Sequence, residues 1–169
     1  MSDQTSAMLK FKVPSFGFSK LKISSPKPYV PPAPQEPGSY PDRPVTVAVI
    51  GAGTRGKSLA HYATVFPEWM TIVAVAEPNE IRRVKFSQEY SISEENVVTD
   101  WKELASRSKF CDAVFIATLD HLHCEPAIAF AELKYHILLE KPMANSIEEC
   151  RAIVEAVERN NVLPTLFIE

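Results

Sequence analysis

Glycine is scarce in this chain, with five in 169 residues, where soluble proteins average about 7%. Cysteine is scarcer still. Cys111, Cys124 and Cys150 are odd in number and show no C-x-x-C spacing, which fits buried thiols in a reducing, cytoplasmic compartment better than a disulfide framework. No apolar run approaches the about 18 residues of a membrane span, and no signal-peptide apolar segment is visible. Arginine is missing before Arg43, which with Asp3 argues against a mitochondrial presequence. No serine stands in a G-x-S-x-G elbow, so a hydrolase triad has no nucleophile. The net charge is −3. Residues 1–43 carry six basic and three acidic side chains, which leaves −6 on the remainder. An acidic globular part argues against nucleic acid as a partner.

Three of the five glycines fall in one six-residue stretch, Gly51, Gly53 and Gly56. They close the apolar run Val45–Ile50, and a helical apolar pattern through Leu59, Ala60, Ala63 and Val65 follows at once. Strand, G-x-G-x-x-G and helix open a dinucleotide-binding βαβ unit. The first glycine permits the turn, the second lets a pyrophosphate approach, and the third brings helix and strand together. The phosphates would sit where unpaired N–H groups and the helix dipole favour negative charge. A second apolar strand ends in Glu77, about 20 residues on, where the fingerprint places its ribose-binding acid.

Nine of the 14 prolines fall in the first 44 residues, so residues 1–43 read as a disordered Pro/Lys-rich tail. From Pro44 strands and helices alternate. Strands are expected at Val45–Ile50, Met70–Ala76, Val97–Thr99, Ala113–Ala117, His136–Leu139 and Val162–Ile168. Pro164 marks the last as an edge. Helices are expected at Arg55–Val65, at Asn79–Tyr90 with Pro78 in the first turn, at Trp101–Ser106, at Leu122–Leu133, and from a Ser146/Glu149 capping box onward. The alternation predicts an α/β fold, a doubly wound parallel sheet of Rossmann type, over 44–169.

In such a sheet ligands bind beyond the carboxyl ends of the strands. Two further clusters stand there, Thr118-Leu119-Asp120-His121-Leu122-His123-Cys124 and Glu140-Lys141-Pro142. The first makes a poor metal site, because His121 and His123 diverge as they enter a helix. The second is either a surface ion pair or a lysine placed for proton transfer.

Residues 44–169 resemble the N-terminal domain of the Gfo/Idh/MocA family of NAD(P)-dependent oxidoreductases. The likeness lies in VAVIGAGTRG, AVAEPNE, ATLDHLHCEPAIAF and HILLEKPMA. The resemblance implies pyrophosphate binding by Gly51, Gly53, Thr54, Arg55 and Gly56, and adenosine-ribose binding by Glu77. It implies a nicotinamide side lined by Thr118, Asp120 and His123, with Glu140 and the catalytic Lys141 near the reacting centre. It also implies a cis bond before Pro142. The cofactor is then NAD or NADP, with NAD favoured because Glu77 would repel a 2′-phosphate. The substrate is a sugar, polyol or related carbonyl. The alternative is a non-enzymatic dinucleotide-binding sensor. A methyltransferase, whose glycine loop looks similar, lacks Glu-Lys-Pro. Three departures stand out: Leu119 replaces a usual proline, Lys134-Tyr135 replaces Gly-Lys, and the second α/β domain does not follow within the chain. Without that domain the expectation is self-association through an exposed apolar edge at Leu163, Leu166 and Ile168, and no appreciable turnover.

Overall fold

The computed structural model describes residues 42–166. The Pro-rich tail expected before Pro44 therefore lies outside the described residues, apart from Asp42 and Arg43, and so does Ile168. Among the described residues six strands alternate with five α-helices: β1 (Val45–Ile50), α1 (Thr54–Val65), β2 (Met70–Ala76), α2 (Glu80–Glu89), β3 (Val97–Val98), α3 (Trp101–Ala105), β4 (Ala113–Ile116), α4 (Cys124–Glu132), β5 (His136–Leu139), α5 (Ile147–Asn160) and β6 (Pro164–Leu166). All pairings are parallel, in the order β3-β2-β1-β4-β5-β6. This is the doubly wound sheet that the alternation implies, with β6 at an edge.

Side chains alternate across β1 and divide the core in two. Ala48 and Ile50 join Val114, Ile116, Ile137 and Leu139 under Leu104, Phe130 and Ile153 of α3, α4 and α5. Val47 and Val49 join Ile72, Val75 and Phe115 under Leu59 and Phe86 of α1 and α2. Both faces are covered, which is why the strands are apolar nearly throughout. At the amino ends of the strands, Asp112 accepts from both Nη atoms of Arg43 (2.7 and 2.8 Å) and from the Thr46 N–H and hydroxyl (2.8 and 2.7 Å). It thereby ties the entry of β1 to β4.

Local chemistry moves several element ends. Pro78 does not enter α2. Asn79 caps that helix by accepting from Arg82 N at 3.0 Å, and an Asn side chain competes well for the cap position. The helix expected from Leu122 begins as a 3-10 turn at Asp120–Leu122 before α4 starts at Cys124. Ser146 accepts from Glu149 N at 3.2 Å, but the Glu149 carboxylate takes Asn145 N instead, so the box is half closed. A full box forms at Asp100 and Glu103.

Lys134 lies at φ 63°, in the left-handed region. Tyr135 after it is fully buried, with its hydroxyl accepting from Phe110 N at 3.1 Å and its ring edge-on to Phe130.

Candidate dinucleotide site

The strand order reverses between β1 and β4, which open a crevice beyond their carboxyl ends. Gly51 turns the chain out of β1 at φ 94°, and a Cβ there would stand 2.7 Å from Ala117 O. A Cβ on Gly56 would run into the Gly51 carbonyl, so α1 can sit this close to β1 only without one. Gly53 differs: an added Cβ would meet nothing within 4 Å. It opens on space in front of the first turn of α1. That turn has no side-chain cap and no acid of its own, which leaves its positive end to be met by groups from elsewhere.

Glu77 follows β2 and is 4% exposed. Its Oε2 accepts from Ala52 N at 2.8 Å and its Oε1 from Asn79 N at 2.9 Å. The acid therefore holds the glycine loop to the end of β2, and each oxygen keeps a further lone pair. Arg83 donates to the Glu77 carbonyl at 2.7 Å.

Glu140 follows β5 and is 5% exposed. Its Oε1 lies 3.2 Å from Arg55 Nε in an ion pair, while its buried Oε2 has no hydrogen-bond partner. Thr118 after β4 is half-buried, and its buried Oγ1 also lacks a partner. Such orphaned polar atoms are expensive unless something in the site meets them. Asp120 and Lys141 are exposed, and the Lys141–Pro142 bond is cis, as the resemblance implies. His123 is fully buried, with Nδ1 2.9 Å from Pro142 O and Nε2 3.3 Å from Thr118 O.

The sequence reading placed these residues at one rim but missed three pairings: Arg55 with Glu140, Glu77 with Ala52 N, and His123 with two carbonyls. Each joins loops distant in sequence, and only the acid's place after β2 carried a local signal. Among the described residues no group of three or more His, Cys, Asp or Glu side chains is placed to hold a metal ion. None of their helices is long and apolar enough to cross a membrane.

Fold and loop together define a Rossmann-type dinucleotide-binding domain. Residues 45–167 match the model of the Gfo/Idh/MocA oxidoreductase family with its NAD-binding Rossmann fold, and the chain belongs to that family. Levoglucosan dehydrogenase of Pseudarthrobacter phenanthrenivorans is 34% identical over 126 residues, covering 70% of this chain and 32% of that protein. The 2,7-anhydro-N-acetylneuraminate hydratase of Mediterraneibacter gnavus is 33% identical over 122 residues, covering 70% and 30%. Among solved structures, the WlbA dehydrogenase of Bordetella pertussis in complex with NADH and UDP-GlcNAcA shares the fold. Its TM-score is 0.65 at 21% identity, with 72% of this chain and 35% of that one covered. The chain spans about a third of the length of these relatives.

Proposed function

We propose that the chain forms the cofactor-binding part of an NAD(P)-dependent oxidoreductase acting on a sugar, polyol or related carbonyl compound. The observation that carries this reading is the fit of the crevice to a dinucleotide. Space stands open over Gly53 before an uncapped helix start, and two buried oxygens at the ends of β4 and β5, Thr118 Oγ1 and Glu140 Oε2, have no hydrogen-bond partner within the protein.

On this reading the amides from Gly53 to Gly56, with Thr54 and Arg55, take the pyrophosphate over the turn that Gly51 makes. The spare lone pairs of Glu77 take ribose hydroxyls, which favours NAD over NADP because a 2′-phosphate would meet a carboxylate. Thr118, Asp120 and Glu140 orient the nicotinamide end, to which His123 also belongs. The nicotinamide, when bound, supplies hydride chemistry that no side chain can. Lys141, exposed beside it, donates or receives the proton of the substrate oxygen. Levoglucosan dehydrogenase, among the relatives, bears a name that fits carbohydrate oxidation.

Calorimetric titration of the chain with NADH, NADPH and ADP-ribose tests this. Saturable binding of NADH and ADP-ribose, with NADPH weaker, is expected. Tighter NADPH binding overturns the cofactor preference, and absence of binding by all three overturns the reading.

A further inference from the structure

We propose that His123 is a positioning residue for the nicotinamide end of the crevice, its ring standing between the loops after β4 and β5 and holding the turn that carries Lys141 by a hydrogen bond to the Pro142 carbonyl. The inference rests on the dinucleotide reading above and extends it. His123 exposes no surface, so it acts through what it touches.

β4 and β5 run paired from Ala113 opposite His136 to Ile116 opposite Leu139. The last rung beyond them is Glu140 N to Ile116 O at 2.9 Å. Past it, the described backbone hydrogen bonds include none between residues 117–122 and 141–145. The two loops that frame this end of the crevice thus part company where the chemistry would occur. The imidazole fills the gap, with Nδ1 2.9 Å from Pro142 O and Nε2 3.3 Å from Thr118 O. Its own backbone is fixed on both sides, by His123 N to Asp120 O (3.3 Å) and Ala127 N to His123 O (3.1 Å).

Carbonyls only accept, so each contact calls for a ring N–H. A neutral ring has one, and the shorter contact assigns it to Nδ1, pointing at Pro142. The tie to the Lys141–Pro142 turn is therefore the firm one, and Thr118 is met by the far side of the same rigid ring. Lys141 and Pro142 are both exposed, so burial of their own side chains does little to hold the turn. Replacing the ring by a methyl group removes the donor and leaves a void between the loops. A glutamine, with a similar reach and an NH₂ donor, keeps one tie.

The test compares the chain with His123→Ala and His123→Gln, each titrated with NADH and with ADP-ribose, which lacks the nicotinamide. Cooperative melting serves as the check on folding. We expect His123→Ala to weaken NADH by about tenfold, the scale of one lost hydrogen bond with its orphaned acceptor, while ADP-ribose changes by less than about twofold. His123→Gln should recover most of the difference. Equal weakening of both ligands, no weakening of either, or no recovery in a folded Gln variant overturns the proposal. If the unsubstituted chain binds neither ligand, the dinucleotide reading itself falls. The backbone amide signals of Thr118, Lys141 and Met143 in the free protein then decide the bridge alone. Signals displaced in the Ala variant and restored in the Gln variant support it, and signals unmoved in both overturn it. Should His123→Ala not fold, the Gln variant's NADH to ADP-ribose ratio carries the test: a ratio within about threefold of the parent supports the tie, and a collapsed ratio overturns it.

Discussion

Glu140 Oε1 and Arg55 Nε meet at 3.2 Å, joining the end of β5 to the first turn of α1. The carboxylate is nearly buried and the guanidinium is about one-third exposed. Removing only the cation leaves a buried charge uncompensated, whereas neutralising both partners does not. Arg55→Met should destabilise the chain by about 2 kcal/mol, discounted from the fully buried case for the exposure of the arginine. The double variant Arg55→Met/Glu140→Gln should lose less than the sum of the singles. Urea unfolding of the four proteins closes the cycle, and strict additivity would deny the coupling.

Asp112 makes a pH prediction at the opposite end of the sheet. The paired hydrogen bonds from Arg43 hold its carboxyl well below the usual carboxylate range, against partial burial and with help from the Thr46 N–H and hydroxyl. A depressed folded-state value means stability that is fully present above the unfolded value of about 3.9 and is lost as pH falls through the folded one. Asp112→Asn should therefore cost about 1 kcal/mol at pH 7, a figure discounted for the exposure of Arg43. The deficit should hold to about pH 5 and shrink only as the pH drops below about 4. Denaturant titrations at pH 7, 5 and 3 would show it, and a deficit that grows on acidification would contradict the assignment.

Lys134 sits at φ 63° after α4, at the pair where the family resemblance leads one to expect Gly-Lys. A non-glycine residue there pays about 1 kcal/mol in sterics. Lys134 O also accepts from Lys109 Nζ at 2.6 Å, a bond to the backbone that any residue keeps. Lys134→Gly should therefore raise stability by up to about 1 kcal/mol, less the flexibility it adds to the unfolded chain. A lower melting temperature would show that the lysine side chain contributes more than its backbone costs.

Most of the sheet was legible because its signals are local. An apolar run closed by clustered glycines, an acid about twenty residues later and Pro164 near an edge each follow from neighbours in sequence. The helix caps were less legible, because Asp100/Glu103 and Ser146/Glu149 present the same spacing. What separates them is Asn145 N, which captures the Glu149 carboxylate before the box can close. His123 was readable as part of a polar cluster, but its direction was not. That depends on how the loops after β4 and β5 part, a tertiary matter with no periodic trace. Arg55 and Glu140 lie 85 positions apart, and only the strand order brings them together.

Gly51 and Gly53 separate stability from binding most cleanly. At Gly51 an alanine would need φ near 94° and would press its Cβ to 2.7 Å from Ala117 O, backbone that cannot swing aside. Gly51→Ala should destabilise by about 2 kcal/mol or more and weaken every dinucleotide as a consequence. Gly53 lies at φ −71° and ψ −165°, which alanine adopts freely, with open space where its Cβ would go. Gly53→Ala should leave the melting temperature unchanged or slightly higher, since it restrains only the unfolded chain. Yet on the proposed dinucleotide reading that methyl group would occupy the space the pyrophosphate needs, and both NADH and ADP-ribose should bind at least about tenfold more weakly. Paired melting and titration of the two variants would read both effects. A Gly53→Ala chain that melts normally and binds ADP-ribose as tightly as its parent would mean that the phosphates do not lie over this loop.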